Sequence, residues 1–280
     1  MNADSPGPIA KDAPDPPFVS QHGEDILLWK ALGRTDGPRY FVEVGCIDGI
    51  RHANTYALER RGWRGVCVEA HPGFIELLRK NRPNSKVFHA AAAAEPSESL
   101  TFYADPAGDL SSLAKPDDAA MAAAFGEFYR GVEAIEVPAR TLDEMLAEAD
   151  APADFEVLSM DIEGGETRAL AGLDLHRWQP RVIVLEASDD ERVQTFRDLL
   201  EPSGYRLARR LGINAFFARR PADRRRLRMA RIDGWLYRPP HPSQPEAEGT
   251  TGRPWGYETR AAAFRRCVTS SLQRIIGRAG

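Results

Sequence analysis

No stretch of this chain stays apolar for the roughly 18 residues that a membrane-crossing helix needs, so a helical membrane span is excluded. The first residues, MNADSPGPIAKDAPDPPF, carry no basic start followed by an apolar core. No secretory signal is expected there, and the Pro, Asp and Gly content predicts a disordered lead over residues 1–18. The three cysteines, Cys46, Cys67 and Cys267, are too few and too irregularly spaced for a disulfide framework or a thiolate metal cluster. There is no internal repeat. There is also no G-x-G-x-x-G turn, which argues against a dinucleotide cofactor. What remains is a composition of 42% hydrophobic and 28% charged residues, ordinary for a soluble globular protein, and the expected compartment is the cytoplasm.

Apolar runs bounded by turn residues alternate with helical patterns. YFVEVG, GVCVEA, KVFHAAAA, AIEVPA, FEVLSM and RVIVLEA read as strands. Between them lie a helix from Asn54 or Thr55 to Gly62, one led by Pro72, one opened by the capping box Thr141-x-x-Glu144, and one capped by Ser188-x-x-Glu191. YRLARRLGINAFFARR reads as a closing hairpin. The alternation predicts an α/β fold with a mostly parallel sheet, right-handed crossovers and an antiparallel hairpin at its end. After Arg220 the pattern fails. Residues 221–258 are rich in Arg, Pro and Gly and read as a linker. In residues 259–280, Phe264, Val268, Leu272, Ile275 and Ile276 form an apolar stripe among arginines, which predicts a basic amphipathic helix. An acidic body with a basic tail does not make a nucleic-acid binder. It suits a tail that docks on its own body, joins a homodimer, or lies on an anionic inner-membrane surface as a peripheral contact.

Ligands of open α/β sheets bind beyond the carboxyl ends of the strands. Glu43, Glu69, Asp161 and Glu186 all fall at such ends, so carboxylates line one rim. A pyrophosphate would be repelled there, whereas a cofactor with an ammonium, a ribose diol and a sulfonium would be favoured. S-adenosylmethionine has all three. In this reading the turn from Gly45 to Gly49 lets backbone approach the cofactor, and Glu43 offsets the methionine ammonium. Glu69, 24 positions after Gly45, accepts hydrogen bonds from the ribose hydroxyls.

Residues 19 to about 220 resemble the FkbM family of methyltransferases, through SQHGEDILL, FVEVGCIDGIRHANTYALE, GWRGVCVEAHP, GDLSSL and LSMDIEGGE in that order. His22 and His71 depart from the family's usual aromatic residue and Asn. The resemblance implies a Rossmann-like class I methyltransferase with a seven-stranded sheet, dependent on S-adenosylmethionine and acting on a hydroxyl of a sugar, glycan or natural product. It also implies that Gln21, Asp48, Asn54 and Thr55, which lie in the matching motifs, serve the cofactor. Ser111 and Ser112 of GDLSSL are expected to touch cofactor or acceptor, although plain turn chemistry explains them equally. A peptide or protein acceptor is the alternative, and a non-catalytic binding module that keeps the fold is a third.

By the same resemblance the end of the FEVLSM strand faces the methyl group, which makes Asp161 and Glu163 the nearest candidates for the chemistry. Glu163 and Glu166 are also explained as charges favouring the start of the next helix. His52, after the glycine turn, and His22, in the opening motif, are the other candidate bases. Asp161 and Glu186, at neighbouring strand ends, are the pair that would hold Mg²⁺ if the reaction uses a metal.

Overall fold

The computed structural model describes residues 18–126 and 129–232. Helix α1 (Glu24–Leu32) precedes strand β1 (Tyr40–Val44), the single-turn helix α2 (Tyr56–Glu59) and β2 (Arg64–Glu69). Then come α3 (Ile75–Asn81), β3 (Ser85–His89), β4 (Ala91–Ala92), β5 (Ser97–Ala104), α4 (Asp118–Phe125) and β6 (Glu133–Arg140). The second half runs α5 (Leu142–Glu148), β7 (Val157–Met160), α6 (Glu166–Ala171), β8 (Val182–Glu186), α7 (Asp190–Leu200), β9 (Arg206–Leu211), β10 (Asn214–Ala218) and α8 (Pro221–Met229).

The main sheet has seven strands in the order β3-β2-β1-β7-β8-β10-β9. The first five are parallel, and β10 is antiparallel to both β8 and β9. The apolar runs are continuous because both faces are covered. Phe41, Val157, Val184 and Phe216 enter one apolar layer, whereas Val42, Leu158, Ile183 and Phe217 enter the other. The hairpin is present, but its second strand takes the inner place. All of NAFFA in β10 is buried, whereas RLARRL in β9 is half-exposed, so β10 sits next to β8 and the arginine-rich strand forms the edge.

Two expected strands change sheet. KVFHAAAA breaks at Ala90, and its second half, β4, joins β6 and β5 in a separate three-stranded sheet of order β4-β6-β5. AIEVPA belongs to that sheet and not to the main one. The Thr141–Glu144 capping box is formed as expected. The cap of α7 moves by one residue, since the Arg192 amide donates to the Asp189 carboxylate and not to Ser188. A charged acceptor gains more from the helix dipole than a hydroxyl does.

The boundary at Arg220 also moves. Pro221–Met229 is a helix, with proline in its first turn where the missing amide costs nothing. It buries Leu227 against the α1 side of the sheet, and Asp223 accepts from Arg181 at 2.7 and 3.0 Å and from Arg226 at 2.8 Å. Arg226 therefore pairs with a buried acid, and Arg224 and Arg228 donate to backbone carbonyls of the neighbouring strands and turn, so this segment belongs to the fold and not to a linker. The lead over residues 1–17, the rest of the expected linker and the amphipathic helix over 259–280 lie outside the described residues. No helix among the described residues is long and apolar enough to cross a membrane.

Candidate active site

The carboxyl ends of β1, β2, β7 and β8 open onto a cavity of about 350 Å³, roofed by the small sheet and the loop after β5. That volume is within the range of small-ligand pockets. Glu43, Glu69, Asp161 and Glu186 all line it, as do Gln21, Gly45, His52, Asn54, Ser111 and Glu163. Asp48, Gly49, Thr55, Ser112 and His22 do not.

Glu43 is placed at the rim but is not available to an ammonium. One carboxylate oxygen accepts from the Asn54 and Thr55 amides at 2.6 and 3.2 Å. The other accepts from the Thr55 hydroxyl at 2.6 Å and from Arg82 Nη1 at 2.9 Å. All four acceptor directions of the carboxylate are used. Arg82 is fully buried and continues to Glu59 at 2.7 Å, to the Thr55 hydroxyl at 2.5 Å and to the Gly49 carbonyl at 3.2 Å. Glu43 and Thr55 therefore fix the wall of the site. Asn54 is held beside them, its amide donating to the Ser159 hydroxyl at 3.0 Å.

The glycines, too, answer to the protein's own packing before any cofactor. Gly45 has φ 83°, and a Cβ there would lie 1.9 Å from the carbonyl oxygen of Asp161. Gly49 has φ 84°, and a Cβ there would lie 2.6 Å from the Arg82 side chain. The turn after β1 is thus pressed against the turn after β7, with Asp48 accepting from the Ile50 and Arg51 amides, both at 2.9 Å. Gly45→Ala is expected to destabilise the protein by about 1–3 kcal/mol, because backbone and not a flexible side chain stands in the way. A thermal melt unchanged from the parent would overturn that account.

Glu69 stands at the end of β2, buried, on the cavity wall. Its two oxygens accept from the Ile47 and His71 amides, both at 2.7 Å, and no side-chain cation meets it among the described residues. Burial raises its carboxyl above the ordinary range, partly offset by the backbone amides of His71, Ile47, Cys46 and Ala70. His71 lies behind it. Its ring accepts from the Gly73 amide and packs 4.7 Å from the Phe74 ring, so it serves the helix start and not the cavity.

Asp161, Glu163 and Glu186 converge at the other end, with one carboxylate oxygen of each within 4.8 Å of the others. Burial first, then repulsion by Glu186, Glu166, Glu24 and Glu43, pushes Asp161 up to about 7. Burial, Glu186, Asp161 and Glu166 push Glu163 up to about 8 against the pull of Arg192. Glu163 is exposed, and water screens part of that repulsion. Glu186 is raised by burial and by Glu166. Glu166 itself holds the turn, accepting from the Ile162 amide at 3.1 Å and from Arg192 at 2.6 Å.

The opening motif reaches the site through Ser20, which bridges to His52, and through Gln21. His52 stays a candidate at the cavity wall, held at φ 58°. His22 does not. Its ring packs on Gly212 in the β9–β10 turn, where a Cβ would lie 2.2 Å away, outside the cavity. Ser111 lines the cavity and accepts from the Asp105 amide at 2.9 Å, while Ser112 donates to the Glu163 carbonyl at 3.0 Å and so ties this loop to the acidic turn. Sequence reasoning missed Arg82, Arg51, which pairs with Asp109 at 3.3 Å on the cavity wall, and Asp105, which is buried and folds the loop. The one signal for Arg82 in the sequence is an arginine closing a helix before Pro83, and nothing local distinguishes it from a surface arginine.

The methyltransferase FkbM domain matches residues 43–207. The chain belongs to the FkbM methyltransferase family. It is an S-adenosylmethionine-dependent methyltransferase, and its sheet has the Rossmann-like class I arrangement. Among solved structures the FkbM domain is similar to precorrin-6Y C5,15-methyltransferase from Geobacter metallireducens, with 13% identity, 69% of this chain and 84% of that one covered, and a TM-score of 0.37. It is also similar to an O-methyltransferase from Bacillus cereus in complex with S-adenosylhomocysteine, with 14% identity, 72% and 83% covered, and a TM-score of 0.38. None of the curated proteins compared with the chain matches it.

Proposed function

We propose that this methyltransferase acts on a hydroxyl of a small molecule or glycan, with Asp161 as the residue that orients the acceptor. The observation that carries this reading is the placement of Glu69 and Asp161 on one cavity, at the ends of strands separated only by β1. Two strand spacings put them roughly 10 Å apart, enough for a nucleoside to rest at Glu69 while the reacting atoms meet near Asp161. Glu69 lines the cavity as a buried carboxylate met by backbone amides and no cation, which suits it to accept from a ribose diol. Bound there, the cofactor supplies an electrophilic methyl group on a good leaving group. The protein's own contribution is positioning and the removal of water. Asp161 accepts the hydrogen bond of the acceptor hydroxyl and directs its lone pair. Phe102, Leu113 and Ile213 contribute apolar surface to the cavity wall. Carboxylates at this end disfavour phosphorylated or carboxylated acceptors and favour neutral ones.

The test is incubation with labelled cofactor and matched panels of glycans, polyketides and peptides. Label on hydroxyl acceptors, with a mass gain of one methyl group, supports the reading, whereas label only on peptides moves it to the protein-acceptor alternative. With an acceptor in hand, Asp161→Asn is expected to lower kcat on the order of 10²-fold, the cost of a misplaced reactant, while affinity for S-adenosylhomocysteine stays within a few-fold. Equal turnover by that variant would assign the orienting role elsewhere.

A further inference from the structure

We infer that Asp161, Glu163 and Glu186 together bind a hard divalent cation, Mg²⁺ or Mn²⁺, at the acceptor end of the cavity. The inference deepens the methyltransfer reading and rests on it for the location of the acceptor. Three carboxylates from the turn after β7 and the end of β8 each bring one oxygen within 4.8 Å of the others. Two ligands of one cation stand at most twice the metal–oxygen distance apart, which is roughly 4.2 Å for Mg²⁺ and about 5 Å for Ca²⁺. The three oxygens are therefore near coordination distance already, and small side-chain rotations complete it.

Proximity of acids is not sufficient by itself, and a second observation points to a ligand. Glu186 is 7% exposed, and its Oε2 is buried with no hydrogen-bond donor. A buried carboxylate oxygen without a donor, on a side chain clustered with two further carboxylates, is costly unless a cation or donor arrives. Among the described residues none of the three carboxylates forms an ion pair. Arg192, whose charge acts on Glu163 and Glu186, is itself held by Glu166 at 2.6 Å.

The contrast with the other grouping of potential ligands is informative. Glu43, Cys46 and Cys67 also come together, but Arg82 already donates to Glu43 at 2.9 Å, so that charge is met within the protein. At Asp161, Glu163 and Glu186 the ligand set is all oxygen. That selects Mg²⁺, Mn²⁺ or Ca²⁺ over zinc or copper, which favour nitrogen and sulfur. A cation held there has room for an oxygen of a diol or hydroxyl acceptor as a further ligand.

The experiment is titration of the full chain with Mn²⁺, read by electron paramagnetic resonance of the free ion, and with Mg²⁺ as competitor. In the same samples S-adenosylhomocysteine binding is measured by calorimetry. One Mn²⁺ per chain is expected, displaced by Mg²⁺. Glu186→Gln and, independently, the exposed Glu163→Gln should each weaken it at least tenfold. Glu136→Gln, on the small sheet, should leave it unchanged. Glu186→Gln removes one of three repelling charges, so without metal it should melt no lower than the parent. No Mn²⁺ binding, with or without S-adenosylhomocysteine, overturns the inference, as does Mn²⁺ that binds equally to both Gln variants. S-adenosylhomocysteine binding in those samples then shows that the methyltransfer reading survives. Failure of the cofactor to bind would count against that reading whatever Mn²⁺ does.

Discussion

Replacing Glu69 by alanine is expected to weaken S-adenosylhomocysteine binding by about 10²-fold or more. The carboxylate stands at the end of β2, buried, where it lines the cavity and meets backbone amides, those of Ile47 and His71 at 2.7 Å. In the proposed complex two ribose hydroxyls donate to it. A hydrogen bond to a charged group contributes about 1.5–3 kcal/mol, so the pair contributes roughly 3–6 kcal/mol, and each 1.4 kcal/mol is about tenfold in affinity. Alanine also strands the two amides, so part of the effect would come from a loosened turn. Glu69→Gln separates the two, because it keeps an acceptor for one amide while losing the charge. The measurement is calorimetric affinity alongside a thermal melt. Parental affinity in a folded Glu69→Ala protein would remove Glu69 from the cofactor site.

Arg82→Met should destabilise the protein by about 3–5 kcal/mol, the usual cost of removing one partner from a buried ion pair. Arg82 is fully buried and is the only arginine that meets Glu43 and Glu59 among the described residues, both acids being nearly inaccessible. Methionine keeps much of the volume, so the loss is electrostatic and not a cavity. At about 2–4 °C per kcal/mol for a domain of this size, the melting temperature should fall by roughly 6–20 °C. Adding Glu59→Gln should restore part of it, since one orphaned charge is removed. A single variant melting within about 2 °C of the parent would show that the network contributes little. Loss of cofactor binding is expected as well, because the same arginine holds the Gly49 carbonyl and, through Glu43, the Asn54–Thr55 amides.

Much of this protein was legible in its sequence, and the reason is local. Continuous apolar runs separated by helical spacing can only be strands buried on both faces, so the parallel sheet followed from YFVEVG, GVCVEA, FEVLSM and RVIVLEA. A carboxylate closing such a run must stand at the sheet's ligand-binding edge, and Glu43, Glu69, Asp161 and Glu186 do line one cavity. The family motifs lie in the same segments. What the tertiary structure decided is which of those groups are spoken for. Glu43 and Glu69 look alike in sequence, each the acid of its strand. Glu43 is met by Arg82, 39 residues away, whereas Glu69 meets backbone amides and no side-chain cation among the described residues. Gly45 is required by the Asp161 carbonyl, a contact between turns more than a hundred residues apart. His22, set in a motif, is turned away by the β9–β10 turn. Strand order within the hairpin, the departure of β4 and β6 to a second sheet, and the helix at Pro221–Met229 were settled by which surfaces could be buried together. Periodicity reports the faces of one element at a time. The partner of a buried charge depends on elements brought together only when the chain has folded, and an arginine on a helix carries no local mark of whether it will meet water or a carboxylate.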